Sequence, residues 1–223
     1  MDDSHLSRIL NETPRDFRRF LTTAETEFTW PLRREVILLT LFFIGERPTA
    51  SFAFVNTESS DMSEAHILSD VLETLPVPSE TVVEPFGAEF LSLSRYYPEA
   101  PDSYSLSDFE TNEAYHQFWG EYYEYPQSAI DAFNNDTRLR YYSSIADKQH
   151  LIDTATERGW DQSDVAALPL IPFVPPRDPD GLADAIHIAH RHEHALRTVA
   201  KTHDIPELLA LIESVKLPNS YFD

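Results

Sequence analysis

Apolar residues in the first quarter of the chain follow two different spacings. Helical spacing predicts two short helices over residues 4–11 and 14–25, the second with Pro14 in its first turn. The apolar run 35–44 is almost continuous, which fits either a buried strand or a buried helix. We interpret it as a strand, because a turn and a second apolar segment, 51–56, follow it as in a hairpin.

The next part of the chain alternates between predicted elements and punctuating prolines. Helical spacing predicts one helix over 60–75, and two short apolar segments predict strands over 81–84 and 89–94. Residues 98–107 have the composition of a connector. For a single domain of residues 1–223, this loop is the predicted internal boundary. It separates an α/β part, 1–97, from a mainly helical part, 108–223.

The second half of the chain is patterned mostly for helices. Period and capping predict helices over 108–122, 126–135, 146–158, 181–203 and 206–216. An apolar run at 168–173, closed by two prolines, predicts a fifth short strand. The expected fold class is therefore α+β, with a small, mostly antiparallel sheet packed with helices and a helical C-terminal half.

The composition is strongly acidic and lacks cysteine. The 223 residues include 38 Asp and Glu against 17 Lys and Arg, which gives a formal net charge of -21. Such a chain repels itself at low ionic strength, whereas molar salt shortens the Debye length to about 3 Å. The composition resembles that of haloarchaeal proteins and predicts a halophilic origin. The missing cysteines exclude disulfides, thiolate nucleophiles and iron–sulfur clusters.

The charge also bears on partners and location. An acidic chain with no basic patch is a poor match for nucleic acid or an anionic membrane surface. Asp2 and Asp3 stand where a secretory signal would carry positive charge, and the longest apolar run is far shorter than the ~20 residues that span a bilayer. We expect a cytoplasmic protein whose partner is a protein or a small-molecule ligand, with a homo-oligomer as an open alternative.

Five of the nine histidines fall within residues 187–203. His187, His190 and His194 share one face of the predicted helix. His190 and His194 have the i, i+4 spacing that offers two imidazoles to one divalent metal such as zinc, with His187 as a third ligand. The favoured interpretation is nevertheless a solvated polar face on a helix whose apolar face packs, and Arg191 stands where a His-Glu-x-x-His motif carries its glutamate. No other cofactor is expected.

Residues 115–125 contain six aromatics. Their spacing of three, four and seven residues favours the buried face of a helix. The alternative is a pocket in which rings stack on a sugar or a base while carboxylates bind hydroxyls. If the protein is a metal-dependent enzyme, His116 and Glu121 are the candidate catalytic residues, either of them as the proton carrier. Gly120 permits close approach of another element or of a ligand.

The segment that follows carries a resemblance to a known family. Residues 125–133, Tyr-Pro-Gln-Ser-Ala-Ile-Asp-Ala-Phe, resemble the Gly-Tyr-Pro-x-Cys-Cys-x-x-Ala-Phe segment of an archaeal family of unknown function. Residues 174–181 resemble its Pro-Cys-x-x-x-x-Cys turn. This chain has Ser128, Ala129, Pro176 and Gly181 in place of the cysteines and Glu124 in place of the glycine. A metal site built on those cysteines would be lost here, and the resemblance implies no reaction.

The sequence favours a binding or interaction protein. It contains no G-x-x-x-x-G-K-[ST], G-x-G-x-x-G or G-x-S-x-G motif, so P-loop, Rossmann and α/β-hydrolase chemistries are disfavoured. The alternative is a metal-dependent, hydrolase-like enzyme that uses the His187, His190 and His194 face. These two hypotheses differ in what surrounds that face. An enzyme requires a concave pocket with a converging carboxylate, whereas a binding protein leaves the face exposed.

Overall fold

The structure is a computed structural model that describes most of the chain. The described residues are 5–48, 50–55, 70, 72–77, 80–85, 91–97, 106–140 and 144–222, with the backbone alone at 51–55, 80–85 and 91–97. Most of the predicted helix 60–75 and most of the predicted connector 98–107 lie outside these residues.

Helices account for most of the described elements. They are α1 (His5–Glu12), α2 (Pro14–Glu27), α3 (Trp30–Phe43), α4 (Asn112–Tyr122), α5 (Gln127–Asn134), α6 (Ile145–Glu157), α7 (Gln162–Ala166), α8 (Pro179–Thr202) and α9 (Pro206–Val215). Short 3-10 helices occupy Leu106–Asp108, Leu168–Leu170 and Asn219–Tyr221. The helices predicted near α1, α2, α4, α5, α6, α8 and α9 are confirmed, with ends displaced by a few residues.

The predicted α+β fold class is wrong, because the part of the chain with described side chains is all-α. Among those side chains, every buried apolar one except those of Ala50 and Leu75 belongs to a helix or to a segment that connects helices. The helices therefore supply the core that a sheet was predicted to organise.

The run 35–44 accounts for much of this difference, because it belongs to a helix. Residues Val36 to Phe43 are all buried, so α3 is apolar on every face over its second half. A helix buried all round carries no polar stripe, and its sequence then looks the same as that of a buried strand. Pro31 lies in the first turn of α3, where proline is favoured. The hairpin predicted from this run does not form.

The run 168–173 is also not a strand. Leu168–Leu170 forms a 3-10 helix, with Pro169 in its first turn, and Ile171 is extended. Most of the run is buried among helices. Its apolar character therefore reflects burial, and the sequence contains no alternation that would have identified a strand.

The backbone of three strands forms one small antiparallel sheet. The strands are β1 (Ala50–Val55), β2 (Glu80–Pro85) and β3 (Leu91–Tyr97), in the order β1-β3-β2. Ala50 is opposite Tyr97, and Pro85 is opposite Leu91. The strand β1 therefore pairs with β3, and its predicted partner lies in α3.

The chain divides into two compact units that are not continuous in sequence. One comprises residues 1–104 and 196–214, and the other comprises 105–195 and 215–223. The change between them at residue 195/196 falls inside α8.

Aromatic packing and one arginine hold the first unit together. Phe17 is buried, and its ring lies 6.4 Å from the ring of Phe43 between centroids. Arg18 donates to Glu207 Oε2 at 3.1 Å and to the carbonyl oxygen of Asp204 at 2.5 Å. Because Asp204 and Glu207 flank the start of α9, this arginine fixes α2 to α9.

Buried polar contacts connect the helices of the second unit. His192 is buried, and its Nδ1 lies 2.9 Å from the carbonyl oxygen of Leu170. Arg177 pairs with the buried carboxylate of Asp147 in α6. Removing one partner of such a pair leaves a charge without compensation, which costs about 3–5 kcal/mol. The segment that precedes α8 is therefore held firmly against α6.

No helix in the described part of the chain has the length and apolar character that crossing a bilayer requires.

Candidate functional site

The second unit contains a cleft with a volume of about 280 Å³. Two short helices, α4 and α5, and the segment 172–174 enclose it. The residues that line it are His116, Trp119, Gly120, Tyr123, Tyr125, Ala129, Ile130, Phe133, Pro172, Phe173 and Val174. None of these carries a carboxylate, an ammonium or a guanidinium group, so the cleft is apolar and ringed by aromatic side chains.

Close packing at Gly120 creates this arrangement. Gly120 is the buried residue of α4, and a β-carbon at this position would lie 2.5 Å from Ile130 Cγ1 and 2.6 Å from Cδ1. Only a residue without a side chain lets α5 approach α4 so closely. Sequence analysis predicted such an approach at Gly120, and the approaching element is α5.

Three tyrosine and tryptophan rings form a continuous stack along one wall. Trp119 and Tyr123 are stacked with centroids 5.7 Å apart, and Tyr123 and Tyr125 are stacked at 5.5 Å. Tyr125 also contacts Phe173, and its hydroxyl donates to the carbonyl oxygen of Pro172 at 3.1 Å. This hydrogen bond fixes the wall to the segment 172–174.

His116 contributes a nitrogen base to the lining. Its Nδ1 lies 2.8 Å from Asn134 Oδ1, and its ring meets the ring of Phe133 edge-on at 4.7 Å. Asn134 is the last residue of α5, so the contact links the two helices that form the cleft. The imidazole is therefore held by one hydrogen bond and by ring contacts with Phe133 and Tyr115.

The preferred interpretation of residues 115–125, a buried helix face, is wrong. Tyr115, Phe118, Trp119 and Tyr122 are all partly exposed. The alternative, a pocket, agrees better with the structure, because three of the six aromatic rings and His116 line the cleft. It fails for the carboxylate, because the exposed Glu121 does not line the cleft and accepts from Gln117 Nε2 at 2.6 Å.

The predicted metal-ligand face lies on α8, which contributes no residue to the cleft. His187 and His194 are exposed, while His190 is half-buried with its Nε2 3.1 Å from Asp164 Oδ1. None of the three lines the cleft. Within the described ranges no group of three or more potential ligands is gathered around one point. Metal binding by these histidines stays a prediction.

Several ionisable groups outside the lining have shifted pKa values. Burial raises the pKa of Glu35, and the neighbouring Arg34 guanidinium partly opposes this effect. Burial raises the pKa of Tyr221 to about 12. The hydrogen bond from the Ser163 hydroxyl, together with the backbone amides of the α7 N-terminus, lowers the pKa of Asp161. These shifts follow from packing and helix capping.

Sequence reasoning missed the far side of the cleft. Ala129, Ile130 and Phe133 read as ordinary helix residues, and residues 172–174 were assigned to the end of a strand and its turn. Helical spacing shows which residues share a face, but it does not show which distant segment lies opposite. No local signal could have placed Phe173 next to Tyr125.

No protein-family profile, curated protein or solved structure matches this chain. The resemblance of residues 125–133 to an archaeal family therefore stays a prediction.

Proposed function

We propose that the protein binds a small, neutral, planar organic molecule in the aromatic cleft. The observation that carries this proposal is the lining, in which stacked rings and aliphatic groups surround about 280 Å³ without a charged side chain. Ligand sites in proteins are concave and mostly apolar, and they contain few polar groups. The smallest of them have volumes of about 300 Å³. A molecule of one or two rings suits this size.

Ring faces and charge distinguish this ligand from other classes. Stacking on Trp119, Tyr123 or Tyr125 favours a flat π-system. A phosphate or carboxylate would enter the cleft without a cationic partner, which is costly in an apolar setting. The proposal keeps the expected cytoplasmic location and a binding role, and it includes no chemical step on the ligand.

The experiment is a calorimetric titration with 2-naphthol in molar KCl. Saturable binding with one site per chain is expected. Tyr123→Ala removes one stacked ring, and we expect it to weaken binding by about 1 kcal/mol, or roughly fivefold. Tyr221→Ala is the matched control, because Tyr221 does not line the cleft and contacts Phe222 and Lys148, which lie outside it. The proposal fails if the unmodified protein shows no saturable binding, or if both variants weaken it equally.

A further inference from the structure

Hydrogen bonding within the cleft fixes the proton of His116 on one nitrogen. A carboxamide oxygen can only accept, so the contact of Nδ1 with Asn134 Oδ1 at 2.8 Å requires a proton on Nδ1. In the neutral ring the other nitrogen, Nε2, then carries a lone pair. The lining of the cleft thus includes a histidine that is prepared to accept a hydrogen bond.

The surrounding rings restrict the orientation of this acceptor. The ring of Phe133 meets the imidazole edge-on, with an angle of 81° between the ring planes. The guanidinium group of Arg138 lies over the Phe133 ring, 4.3 Å from its centroid. The Asn134 contact holds the ring at Nδ1, and Tyr115 also contacts it edge-on. A ring held in this way loses little freedom when a ligand binds, which favours selective recognition.

We infer that the ligand carries a hydrogen-bond donor, such as a ring hydroxyl or a ring N–H, which His116 Nε2 accepts. This inference rests on the proposed function and names the class of ligand: a neutral planar ring with one donor at its edge. Phenol-like and indole-like molecules have this chemistry. His116 is then a specificity-determining residue of the cleft, and Asn134 is a positioning residue that acts through it.

The test compares two probes that differ in one donor. 2-Naphthol carries a hydroxyl, and 2-methoxynaphthalene has the same rings with the hydrogen replaced by a methyl group. At about pH 8 an ordinary histidine is neutral. We expect the unmodified protein to bind 2-naphthol roughly fivefold to tenfold more tightly, which is the contribution of one hydrogen bond.

Substitution of His116 should remove this preference. His116→Phe keeps a ring at the position but has no acceptor, so both probes are expected to bind with similar affinity. The matched control is His203→Phe, which changes an exposed histidine outside the cleft and should retain the full preference. Circular dichroism checks that each variant is folded.

A second variant tests the proton assignment and remains informative if His116→Phe does not fold. Asn134→Asp places a carboxylate at Nδ1, which favours the doubly protonated imidazolium, and Nε2 then becomes a donor. At about pH 7, where an ordinary histidine is mostly neutral, the preference of this variant for 2-naphthol should fall at least twofold below that of the unmodified protein at the same pH.

The outcomes separate the two proposals. Equal binding of both probes by the unmodified protein overturns this inference while supporting the proposed function. An unchanged preference in His116→Phe or in Asn134→Asp also overturns the inference. If neither probe binds the unmodified protein, the proposed function fails and this inference fails with it.

Discussion

Glu124, directly after α4, adopts a backbone conformation that usually belongs to glycine. Its φ is +53°, and its side chain is exposed. Left-handed backbone is common at helix C-termini, but for a residue with a β-carbon it costs about 1 kcal/mol or more relative to glycine. At position 124 an acidic residue adopts this conformation, and the chain then continues into Tyr125 and the cleft wall.

We predict that Glu124→Gly stabilises the protein by about 0.5–1 kcal/mol, because glycine adopts the left-handed region without steric cost. Denaturant unfolding at constant molar salt measures the change. Glu121→Gly is the matched control, since Glu121 is an exposed glutamate inside α4, where glycine should destabilise by about 1 kcal/mol. Equal destabilisation in both variants would contradict the strain at Glu124.

Individual residues were predictable where their role is local. The sequence identified Gly120 as a point of close approach because a glycine inside an amphipathic helix needs a reason. It identified His116 as a candidate functional side chain within an aromatic segment. It did not identify Asn134 as the partner of His116, because this contact depends on how α4 and α5 cross.

At the scale of elements, the presence of most helices was predictable, but their ends were displaced by a few residues and the buried runs were misassigned. Thr111 accepts from the amide of Ala114, and the side chain of Ser144 accepts from the amide of Asp147, so local capping chemistry sets the start of α4 and of α6. The run 35–44 has no such internal signal, because full burial removes the polar stripe that reveals a helix. The fold class was therefore predicted wrongly largely because this apolar segment was assigned to a strand.

The close crossing of α4 and α5 predicts a change in stability opposite to the one that helix propensity alone would give. Alanine is favoured over glycine in a helix by about 1 kcal/mol. We nevertheless expect Gly120→Ala to destabilise the protein by about 1–3 kcal/mol, because its β-carbon would overlap the Ile130 side chain. Thermal unfolding measures stability, and the 2-naphthol titration should show weaker binding.

Shortening the opposing side chain provides the control. Ile130→Ala removes both atoms that the new β-carbon would meet. In the double variant, Gly120→Ala should cost at least 1 kcal/mol less than it does in the unmodified background. A fully additive pair would show that the overlap is not the cause.

At the scale of the whole molecule, the net charge of -21 predicts dependence on salt. The described ion pairs use arginines and a lysine of this acidic chain, as in Arg18 with Glu207 and Lys216 with Glu193. Even if each of the 17 Lys and Arg residues paired with one acid, 21 of the 38 acidic residues would have no cationic partner. Repulsion among the remaining carboxylates opposes the compact state unless salt screens it.

We expect the midpoint of thermal unfolding to rise by about 10 °C or more between ~10 mM and ~2 M KCl, because screening removes the repulsion. Circular dichroism follows the transition. Sucrose is the control, since it favours compact states by exclusion from the surface and screens no charge. Comparable stabilisation by sucrose and by KCl would argue against an electrostatic origin.

The candidate site was predictable only in part at this scale. Residues 115–125 supplied one wall, although their spacing favoured a buried helix face and only the alternative interpretation placed their rings in a pocket. The opposite wall comes from residues 172–174, about fifty positions later, and the sequence contains no pattern that pairs the two segments. The histidine face of α8 showed clear helical spacing, yet spacing alone does not decide whether a metal binds there.

The discontinuous division of the chain has a consequence for biosynthesis. The first unit begins at the N-terminus but is completed by residues 196–214. Arg18 and Glu207 are 189 positions apart, so the ribosome must add that many residues after Arg18 before the two can pair. Domains usually fold in the order in which they emerge. Here the residues around Arg18 are completed only by residues 196–214, so the core of this unit stays unfinished on the nascent chain until those residues have emerged.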